Sequence, residues 1–322
     1  MRTRKLGNSE LELTTVGFGA WAIGGPWEFG WGPQDDNDSI AAIRAGLDMG
    51  INWIDTAPAY GHGHSEEIVG KVLKDISHKP IIATKCGIIW DKTRDKITWL
   101  REKSIINECH QSLKRLGVDV IDLYHMHWGE PDEQIEEGIG AMAKLQEQGK
   151  IRYIGVSNFT VGQIKRARKV ADVVSLQPPY SMLRRETEDE LLPYCAENNI
   201  GVVVYSPMHK GLLTGKFSEQ KINELAEDDH RRRDPEFKGE KFKATLELVD
   251  ELRPIAQRNG ITLAQLAIAW VLRREEVTSA IVGARKPSQT KETAPASEID
   301  LPREDIEQIE ELLERRQRKI NR

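Results

Sequence analysis

The chain has 322 residues, and its 46 lysines and arginines against 51 aspartates and glutamates give a formal net charge of −5 at pH 7. Because the two signs are interspersed, the composition indicates neither a nucleic-acid-binding surface nor a membrane-binding patch, which leaves small molecules as the expected partners. Three cysteines without a C-x-x-C pair, no secretion signal and no run of about 18 apolar residues predict a cytoplasmic protein without disulfides.

The first half of the chain alternates short β-rich apolar runs with segments of helical period, which is typical of βαβ units. A hairpin is predicted over residues 3–13, turning at Gly7-Asn8, and we expect it at the bottom of the fold. The elements that follow are a strand over 16–19, a helix over 38–49, a strand over 51–55, a helix capped by Ser65, a strand over 81–85, a helix over 104–116 and a strand over 120–127.

The second half repeats this alternation, with Gly149 and Asn199 in position to end two of its helices. Its elements are a helix over 133–148, a strand over 151–157, a helix over 160–171, a strand over 173–177, a helix over 186–198, a strand over 201–205, a helix capped by Thr262 and a strand over 279–283. Eight apolar strands alternating with helices, with no break in composition, favour one (β/α)8 TIM barrel domain over 1–322 rather than an open doubly wound sheet.

Two further segments lie outside the repeat. Residues 217–243 form a charged connection that is long for a compact domain, and such loops are either functional lids or mobile surface. The charge of this segment favours solvated surface. A last helix is predicted over 304–320, with Leu312 and Leu313 between acidic and basic ends, and we expect it to pack on the outside of the barrel.

Four residues with reactive side chains stand where predicted strands end or shortly beyond, namely Asp55, Tyr60, Lys85 and His127. In such a barrel the site lies at the carboxyl ends of the strands, so we expect these four to share one rim. A lysine at the end of an apolar strand is costly to desolvate unless it is paired, and Asp55 on the adjacent strand is the expected partner. The alternatives are that Asp55 caps a helix or anchors a loop, and that Lys85 snorkels to the surface.

Tyr60 lies in a loop whose proline and glycines can bend it back over the mouth of the barrel. A phenol with its usual pKa of about 10 is a poor acid at neutral pH, but a neighbouring ammonium stabilises the phenolate and lowers that pKa. Lys85, held by Asp55, is the predicted ammonium. The alternative is an ordinary half-buried tyrosine.

His127 shares a strand face with His125, since strand side chains alternate with a period of two. Such a pair could chelate zinc, but apart from Asp55 no further ligand ends a strand, and Lys85 is expected to occupy that carboxylate. We therefore predict no metal, with His125 in the core and His127 donating a hydrogen bond at the mouth.

A Gly-x-Gly-x-x-Ala match at Gly17, Gly19 and Ala22 follows a strand, as in a Rossmann dinucleotide site. The next residues are rich in glycine and proline and cannot open a helix, so the glycines are predicted to let Trp21 and its loop fold over a ligand. Aromatic walls suit a small organic substrate. The predicted substrate-pocket residues are Trp21, Trp27, Trp31, Trp90 and Trp128.

A phosphate group is expected after the eighth strand, where Arg285 and Lys286 precede a helix capped by Ser288. Guanidinium forks and the positive end of a helix both bind phosphate, and this position is a frequent phosphate site in such barrels. A basic surface turn would account for the two cations but not for their position.

Seven motifs, in this order and spacing, resemble those of the aldo-keto reductases over nearly the whole chain. They are Gly17-Phe-Gly-Ala-Trp, Ile54-Asp-Thr-Ala-x-x-Tyr-Gly, Thr84-Lys, Asp122-Leu-Tyr-x-x-His-Trp, Gly155-Val-Ser-Asn-Phe, Tyr205-Ser-Pro and Gly283-Ala-Arg. The run from Ser206 to Lys216 is most similar to the bacterial general-stress and channel-β-subunit branches.

The resemblance implies reduction of a small carbonyl substrate by NADPH, with the cofactor extended across the barrel mouth. Tyr60 would then be the general acid, Lys85 paired with Asp55 would lower its pKa, and His127 would orient the carbonyl oxygen. Arg285 would grip the 2′-phosphate and so favour NADPH over NADH.

The resemblance also implies a row of cofactor contacts along the exits of the later strands. Ser157, Asn158 and Gln177 would hold the nicotinamide amide, and Tyr205 would stack on its ring. The full predicted set is Trp21, Ser157, Asn158, Gln177, Tyr205, Ser206, Pro207, Met208, Gly211, Leu213, Thr214, Lys216, Gly283, Arg285, Ser288, Gln289 and Glu292. Thr293 departs from the asparagine usual in the family, which puts one adenine contact in doubt.

Two other functions stay open from the residues alone. A desolvated Lys85 at a strand end could attack carbonyls as in a Schiff-base aldolase, although Asp55 would keep the amine charged. The chain could also be a regulatory or sensor protein that binds the cofactor and has weak reductase activity. The residues do not determine the physiological substrate or the oligomeric state, for which a monomer is the default.

Overall fold

Eight parallel strands close into a barrel in the computed structural model, which describes residues 1–91 and 95–321. In chain order the strands are β1 (Thr3–Lys5), β2 (Glu12–Thr14), β3 (Val16–Gly19), β4 (Trp53–Asp55), β5 (Ile81–Cys86), β6 (Ile88–Trp90), β7 (Lys96–Thr98), β8 (Ile121–Met126), β9 (Ile151–Ser157), β10 (Val173–Gln177), β11 (Gly201–Tyr205) and β12 (Val277–Gly283). β1 pairs with β2 and β6 with β7 in antiparallel hairpins, and the other eight strands form the barrel. The predicted (β/α)8 fold is confirmed.

Helices cover the outside of the barrel. Those in the described part of the chain are α1 (Asp36–Asp48), α2 (His64–Asp75), α3 (Glu102–Leu116), α4 (Ile135–Glu147), α5 (Val161–Ala167), α6 (Leu191–Glu197), α7 (Glu219–Asn223), α8 (Gly239–Arg258), α9 (Leu263–Leu272), α10 (Pro287–Thr293) and α11 (Arg303–Ile320). Because helices lie on one face of each barrel strand and core side chains on the other, the strands are nearly continuous runs of buried residues.

The helix signals in the sequence are confirmed at several ends. Thr160 and Thr262 each cap a helix through a reciprocal capping box with the glutamine three residues later. Gly149 and Asn199 have the left-handed φ values of 69° and 58° that end a helix. The strands over 51–55 and 120–127 are shorter than predicted, and His127 therefore lies just beyond β8.

The predicted cap at Ser65 is wrong. The helix begins at His64, after Gly63 in a left-handed conformation, and no side chain caps it. The Ser65 hydroxyl is buried and donates to the carbonyl oxygen of Ala20 at 2.8 Å, with Thr56 Oγ1 2.9 Å away. This serine therefore fastens α2 to the exits of β3 and β4.

The N-terminal hairpin lies at the bottom of the barrel, as expected. Leu6, Leu11 and Leu13 are buried against the lower interior side chains, which include Trp53. The tip of the hairpin approaches β11 so closely that a Cβ on Gly7 would lie 2.4 Å from the Gly201 nitrogen. The hairpin thus fills the lower end of the barrel.

Two long connections meet over the opposite end. The loop over 20–35 follows β3, and the segment over 217–243 contains α7, two short 3₁₀ turns and the start of α8. The His230 backbone amide donates to Gly30 at 3.2 Å, and an Arg233 guanidinium nitrogen donates to the Glu28 carbonyl at 2.8 Å. The contacts join the two connections into a strap, defined here as residues 20–35 with 217–243.

The expectation of solvated surface over 217–243 holds for Arg232 and Arg233, which are exposed, but not for the whole segment. Asp229, Arg231 and Phe237 are buried within it, because the charged pair satisfies itself and the phenylalanine joins a small aromatic cluster. At the end of the chain α11 packs on α8 with Leu312 and Leu313 buried, as predicted. None of the described helices combines the length and the apolar character that crossing a membrane requires.

Candidate active site

Asp55 and Lys85 form a buried ion pair at the exits of β4 and β5. Lys85 Nζ lies 2.6 Å from Asp55 Oδ1, and the two side chains are 1% and 3% exposed. The ammonium also donates to the Thr56 carbonyl at 2.9 Å and to the Tyr60 hydroxyl at 3.0 Å. The predicted pairing is confirmed, and neither snorkelling of Lys85 nor helix capping by Asp55 occurs.

Three hydrogen bonds use all the donors of an ammonium group. A protonated amine has no lone pair, so Lys85 cannot attack a carbonyl carbon while it is held as an ammonium by Asp55, Thr56 and Tyr60. The arrangement disfavours the Schiff-base aldolase and favours a role for Lys85 as a fixed positive charge beside the phenol.

Tyr60 is buried in the loop between β4 and α2, with its hydroxyl directed at the ion pair. Burial raises the pKa of the phenol well above its usual value, and the Asp55 carboxylate raises it further. The expectation of a lowered pKa for Tyr60 is wrong for this arrangement, because loss of water and the nearby carboxylate both raise it. Tyr60 is accordingly a neutral hydroxyl, which is the form that can donate a proton.

His127 completes the group of four at the exit of β8. Its ring packs edge-on against Tyr60, with the ring centroids 6.1 Å apart. Burial, followed by the positive charge of Lys85, lowers the pKa of the imidazole well below its usual value. The ring is therefore neutral, with one nitrogen able to donate a hydrogen bond into the cleft.

His125 lies inside the barrel, below His127. Its Nε2 is 3.2 Å from Ser175 Oγ, whereas its Nδ1 is buried and has no hydrogen-bond partner among the described residues. Across residues 1–91 and 95–321, no group of three or more potential metal-binding side chains is present.

A second row of polar side chains lies at the exits of β9, β10 and β11. Gln177 donates to Asp55 Oδ2 at 2.8 Å, and the Ser157 hydroxyl donates to the Gln177 carbonyl at 2.8 Å. Asn158 donates to the His127 carbonyl at 3.0 Å and accepts from the Tyr205 hydroxyl at 2.8 Å. These bonds join four of the predicted cofactor residues to the group of four in one network, a connection that the sequence did not reveal.

Aromatic side chains wall the cleft above this network. All five tryptophans of the predicted substrate pocket line it, and Trp21 stacks on Tyr60 with 6.1 Å between centroids and 16° between planes. Residues that line the cleft but stood in none of the predicted site sets are Gly19, Ala22, Phe29, Ala59, Ile88, Lys96, Lys210 and Ile281. Ile281 could have been found, because it lies two residues before Gly283 on the same strand face. The two lysines carry no comparable signal.

The predicted cofactor residues divide into two sets. Those that line the cleft are Trp21, Ser157, Asn158, Gln177, Tyr205, Ser206, Pro207, Met208, Gly211 and Gly283. Those that lie outside its walls are Leu213, Thr214, Lys216, Arg285, Ser288, Gln289 and Glu292.

Most residues of the outer set are engaged with neighbouring residues. Leu213 is buried, and the Thr214 hydroxyl donates to the Gly211 carbonyl at 2.7 Å, which closes the turn after β11. Lys216 and Glu292 form an ion pair of 2.7 Å. A phosphate or an adenosine would therefore meet side chains that already have partners.

The segment after β12 also differs from the prediction. Ser288 does not cap the helix there, because α10 begins at Pro287 and Ser288 is an exposed residue within its first turn. Gln289 Oε1 accepts from the backbone amides of Arg285 and Lys286 at 2.8 and 3.1 Å, and so fixes the turn itself. Thr293 donates its hydroxyl to the Gln289 carbonyl at 2.9 Å, within its own helix.

Comparison with known proteins identifies the family. Residues 15–314 match the model of the Aldo/keto reductase family. The chain is 41% identical over 317 residues to Aldo-keto reductase YhdN of Bacillus subtilis (strain 168), a match that covers 98% of this chain and 94% of that protein. It is 35% identical over 329 residues to the NADH-specific methylglyoxal reductase of Escherichia coli (strain K12), with 98% and 99% coverage.

A solved structure gives the same result. The glycerol dehydrogenase AKR11B4 from Gluconobacter oxydans superimposes with a TM-score of 0.89 at 37% sequence identity, covering 98% of this chain and 95% of that one. The family resemblance inferred from the seven motifs is confirmed. The chain belongs to the aldo/keto reductase family, whose members are oxidoreductases that use nicotinamide cofactors.

Proposed function

We propose that this protein reduces the carbonyl group of a small aldehyde or ketone to an alcohol, reversibly, with NADPH as the cofactor. The observation that carries the proposal is the buried, neutral hydroxyl of Tyr60, held 3.0 Å from Lys85 Nζ at the base of an aromatic cleft. A single proton donor at the base of such a cleft suits a reaction in which a carbonyl oxygen gains a proton.

The side chains of the group of four have separate roles in this proposal. Tyr60 donates its proton to the carbonyl oxygen, and His127 donates a hydrogen bond that orients the same oxygen. Lys85 stabilises the phenolate that remains after proton transfer, while Asp55 holds the ammonium in place. The bound nicotinamide supplies hydride chemistry.

The chemistry of the side chains at the second row fits such a cofactor. The amides of Asn158 and Gln177 and the hydroxyl of Ser157 face the cleft beside Tyr205, and can recognise a carboxamide and cover one face of an aromatic ring. The hydrogen bond from Gln177 to Asp55 would fix the amide-binding group relative to the proton donor. Arg285 and Lys286 after β12 would supply the charge for a 2′-phosphate and so favour NADPH over NADH. The relative from Escherichia coli is named NADH-specific, so the cofactor preference needs a direct test.

A Tyr60→Phe substitution tests the mechanism. We expect kcat for an aromatic aldehyde with NADPH to fall roughly 10²- to 10⁴-fold, because the proton donor is lost, with little change in the dissociation constant for NADPH. Absorbance of NADPH under saturating and limiting aldehyde gives kcat and KM, and fluorescence titration gives the dissociation constant.

Tyr153→Phe is the matched control. Its hydroxyl accepts a hydrogen bond from the Glu10 amide at the far end of the barrel, so the substitution removes one phenol oxygen without touching the cleft. Undiminished turnover by the Tyr60→Phe protein would overturn the assignment of the proton donor. Very slow turnover by the unaltered protein, together with very tight retention of NADPH, would favour the regulatory alternative.

A further inference from the structure

The guanidinium of Arg285 is bound to the strap. Its Nε donates to the side-chain oxygen of Gln34 at 2.5 Å, one terminal nitrogen donates to the Trp31 carbonyl at 3.0 Å, and the other donates to the Pro33 carbonyl. These partners lie more than 250 residues away in the chain. Three of the five N–H donors of a guanidinium are thus directed at one short stretch of loop.

Gln34 makes this contact reciprocal. Its amide nitrogen donates back to the Arg285 carbonyl at 2.9 Å and to Ser39 Oγ at 2.9 Å. The glutamine is therefore fixed at both ends of its amide, and it holds both the backbone and the side chain of Arg285. A side chain held in this way has a defined orientation rather than a choice of rotamers.

The occupied donors are the ones that a phosphate would use. An arginine binds a phosphate most strongly through a fork of two parallel N–H donors. The side-on fork of Arg285 consists of Nε and the terminal nitrogen beside it, which donate to Gln34 and Pro33. A phosphate can take this fork only if the glutamine and the carbonyl release it.

The same contact bears on the cleft. Trp31, whose carbonyl accepts from Arg285, lines the cleft with its ring, and the Arg231 guanidinium lies over that ring, 4.4 Å from its centroid. Arg285 and Arg231 thus hold Trp31 from two sides. Release of Arg285 from the loop would remove one of the two contacts that fix Trp31 in the wall of the cleft.

We propose that Gln34 is a positioning residue that sets the cofactor preference by competing with the 2′-phosphate of NADPH for Arg285. This inference rests on the proposed function. In it Arg285 exchanges Gln34 and the Pro33 carbonyl for the phosphate when NADPH binds, so part of the binding energy of the phosphate is used to break loop contacts. NADH requires no such exchange. The preference of the unaltered protein for NADPH is therefore smaller than a free arginine would give.

Two substitutions at one position give opposite predictions. Gln34→Ala frees the fork, and Gln34→Glu keeps a partner on Arg285 that is now charged and also repels phosphate. Adenosine 2′,5′-bisphosphate and 5′-AMP are the probes, because they differ only in the 2′-phosphate. By calorimetric titration, we expect the ratio of their affinities to rise roughly three- to tenfold in Gln34→Ala and to fall by a similar factor in Gln34→Glu.

Two controls complete the titration. Arg285→Ala should bring the affinity ratio towards one in every Gln34 background, because the glutamine acts only through this arginine. Gln146→Ala removes a glutamine amide that donates to the Arg152 carbonyl on the far side of the barrel, and should leave the ratio unchanged. A fall in the ratio for both Gln34 variants, or no change in either, would overturn the proposal.

A second readout follows the loop itself. Tryptophan emission should change more on adding adenosine 2′,5′-bisphosphate than on adding 5′-AMP, and a Trp31→Phe protein should lose that difference. Equal responses to the two probes in the unaltered protein would contradict the release of Arg285 from the loop. Absence of binding of both NADPH and NADH would instead overturn the proposed function, and so the two failures are distinguishable.

Discussion

The ion pairs Lys85–Asp55 and Arg231–Asp229 have the same nitrogen–oxygen separation, 2.6 Å, and in both the residues are buried. The first pair bridges two neighbouring barrel strands, whose ends are 30 residues apart in the chain. The second pair lies within one turn of the strap, two residues apart. The Lys85–Asp55 pair therefore depends on the pairing of two barrel strands, whereas the Arg231–Asp229 pair forms within a single loop segment above the barrel.

The two ion pairs differ in what holds their side chains in place. Lys85 and Asp55 cannot separate without disturbing strands that are hydrogen-bonded on both sides, and the pair also binds Tyr60 and Gln177. Arg231 and Asp229 can leave the barrel together if the strap opens, because they move as one unit. We therefore expect loss of the Lys85–Asp55 pair to lower the free energy of global unfolding, and loss of the Arg231–Asp229 pair to favour local opening of the strap.

Among the substitutions considered, Lys85→Met should lower the free energy of unfolding the most. Removing the ammonium leaves Asp55 as an unpaired buried charge, which costs about 3–5 kcal/mol of the free energy of unfolding. Urea denaturation at neutral pH measures the loss. The double variant Lys85→Met with Asp55→Asn is the control, since it removes both charges and should recover part of the loss. A loss below about 1 kcal/mol in the single variant would contradict the view that the barrel holds this pair.

Glu108→Gln should change the free energy of unfolding by a smaller amount, and the change should depend on pH. Glu108 is buried on α3, accepts from the Gly87 amide at 2.8 Å and from the Ser104 hydroxyl at 3.0 Å, and burial raises its pKa to about 7. Because the folded pKa lies above the unfolded value, the folded state binds this proton more tightly, and the resulting stability is lost as pH rises through about 7.

Glutamine keeps one acceptor oxygen for the Gly87 amide, can donate its NH2 group to the Ser104 hydroxyl, and cannot ionise. The Glu108→Gln variant should therefore be more stable than the unaltered protein at pH 8, by roughly 2–3 kcal/mol, with the difference vanishing near pH 4. Urea denaturation across this range gives the curve. Glu66→Gln is the matched control, because Glu66 is also buried but pairs with Arg115 at 2.6 Å, so loss of its charge should destabilise the protein. A constant difference at all pH values would contradict the assignment to Glu108.

These cases show which parts of the site the sequence could predict. Asp55, Lys85 and His127 follow apolar runs, and a closed parallel barrel brings such positions to one rim whatever the loops do. Burial raises the pKa of Tyr60, and the prediction of a lowered pKa failed because it considered only the Lys85 ammonium. The fold and the placing of Asp55, Lys85 and His127 on one rim were therefore predictable from strand order, but the protonation states required the degree of burial.

The strap was not predictable for a different reason. Arg285 and Gln34 lie on loops 251 residues apart, and neither loop has a periodic pattern that fixes its path. Arg231 was part of a charge run, which usually indicates solvated surface, but its guanidinium is buried against the rings of Trp31 and Phe217 and beside Asp229. Contacts between two irregular loops depend on shapes that no local signal encodes.

Arg231→Met should give the smallest loss of global stability. An unpaired Asp229 would be as costly as an unpaired Asp55 if it stayed buried, but the strap can open and return the carboxylate to water, which limits the cost to that of local opening. We expect the free energy of unfolding by urea to fall by less than about 1 kcal/mol. Amide hydrogen exchange over 228–234 should become faster, since the opening is confined to the strap.

The function should change more than the stability in this variant. Trp31 loses the guanidinium over its ring, so KM for an aromatic aldehyde should rise several-fold while kcat changes little, because the Tyr60 group is untouched. Arg232→Met is the matched control, as this neighbouring guanidinium is exposed and donates to the Leu225 carbonyl at 3.0 Å. A stability loss as large as that of Lys85→Met would show that the strap is as much a part of the cooperative barrel as the strand ends are, and the contrast between the two ion pairs would fail.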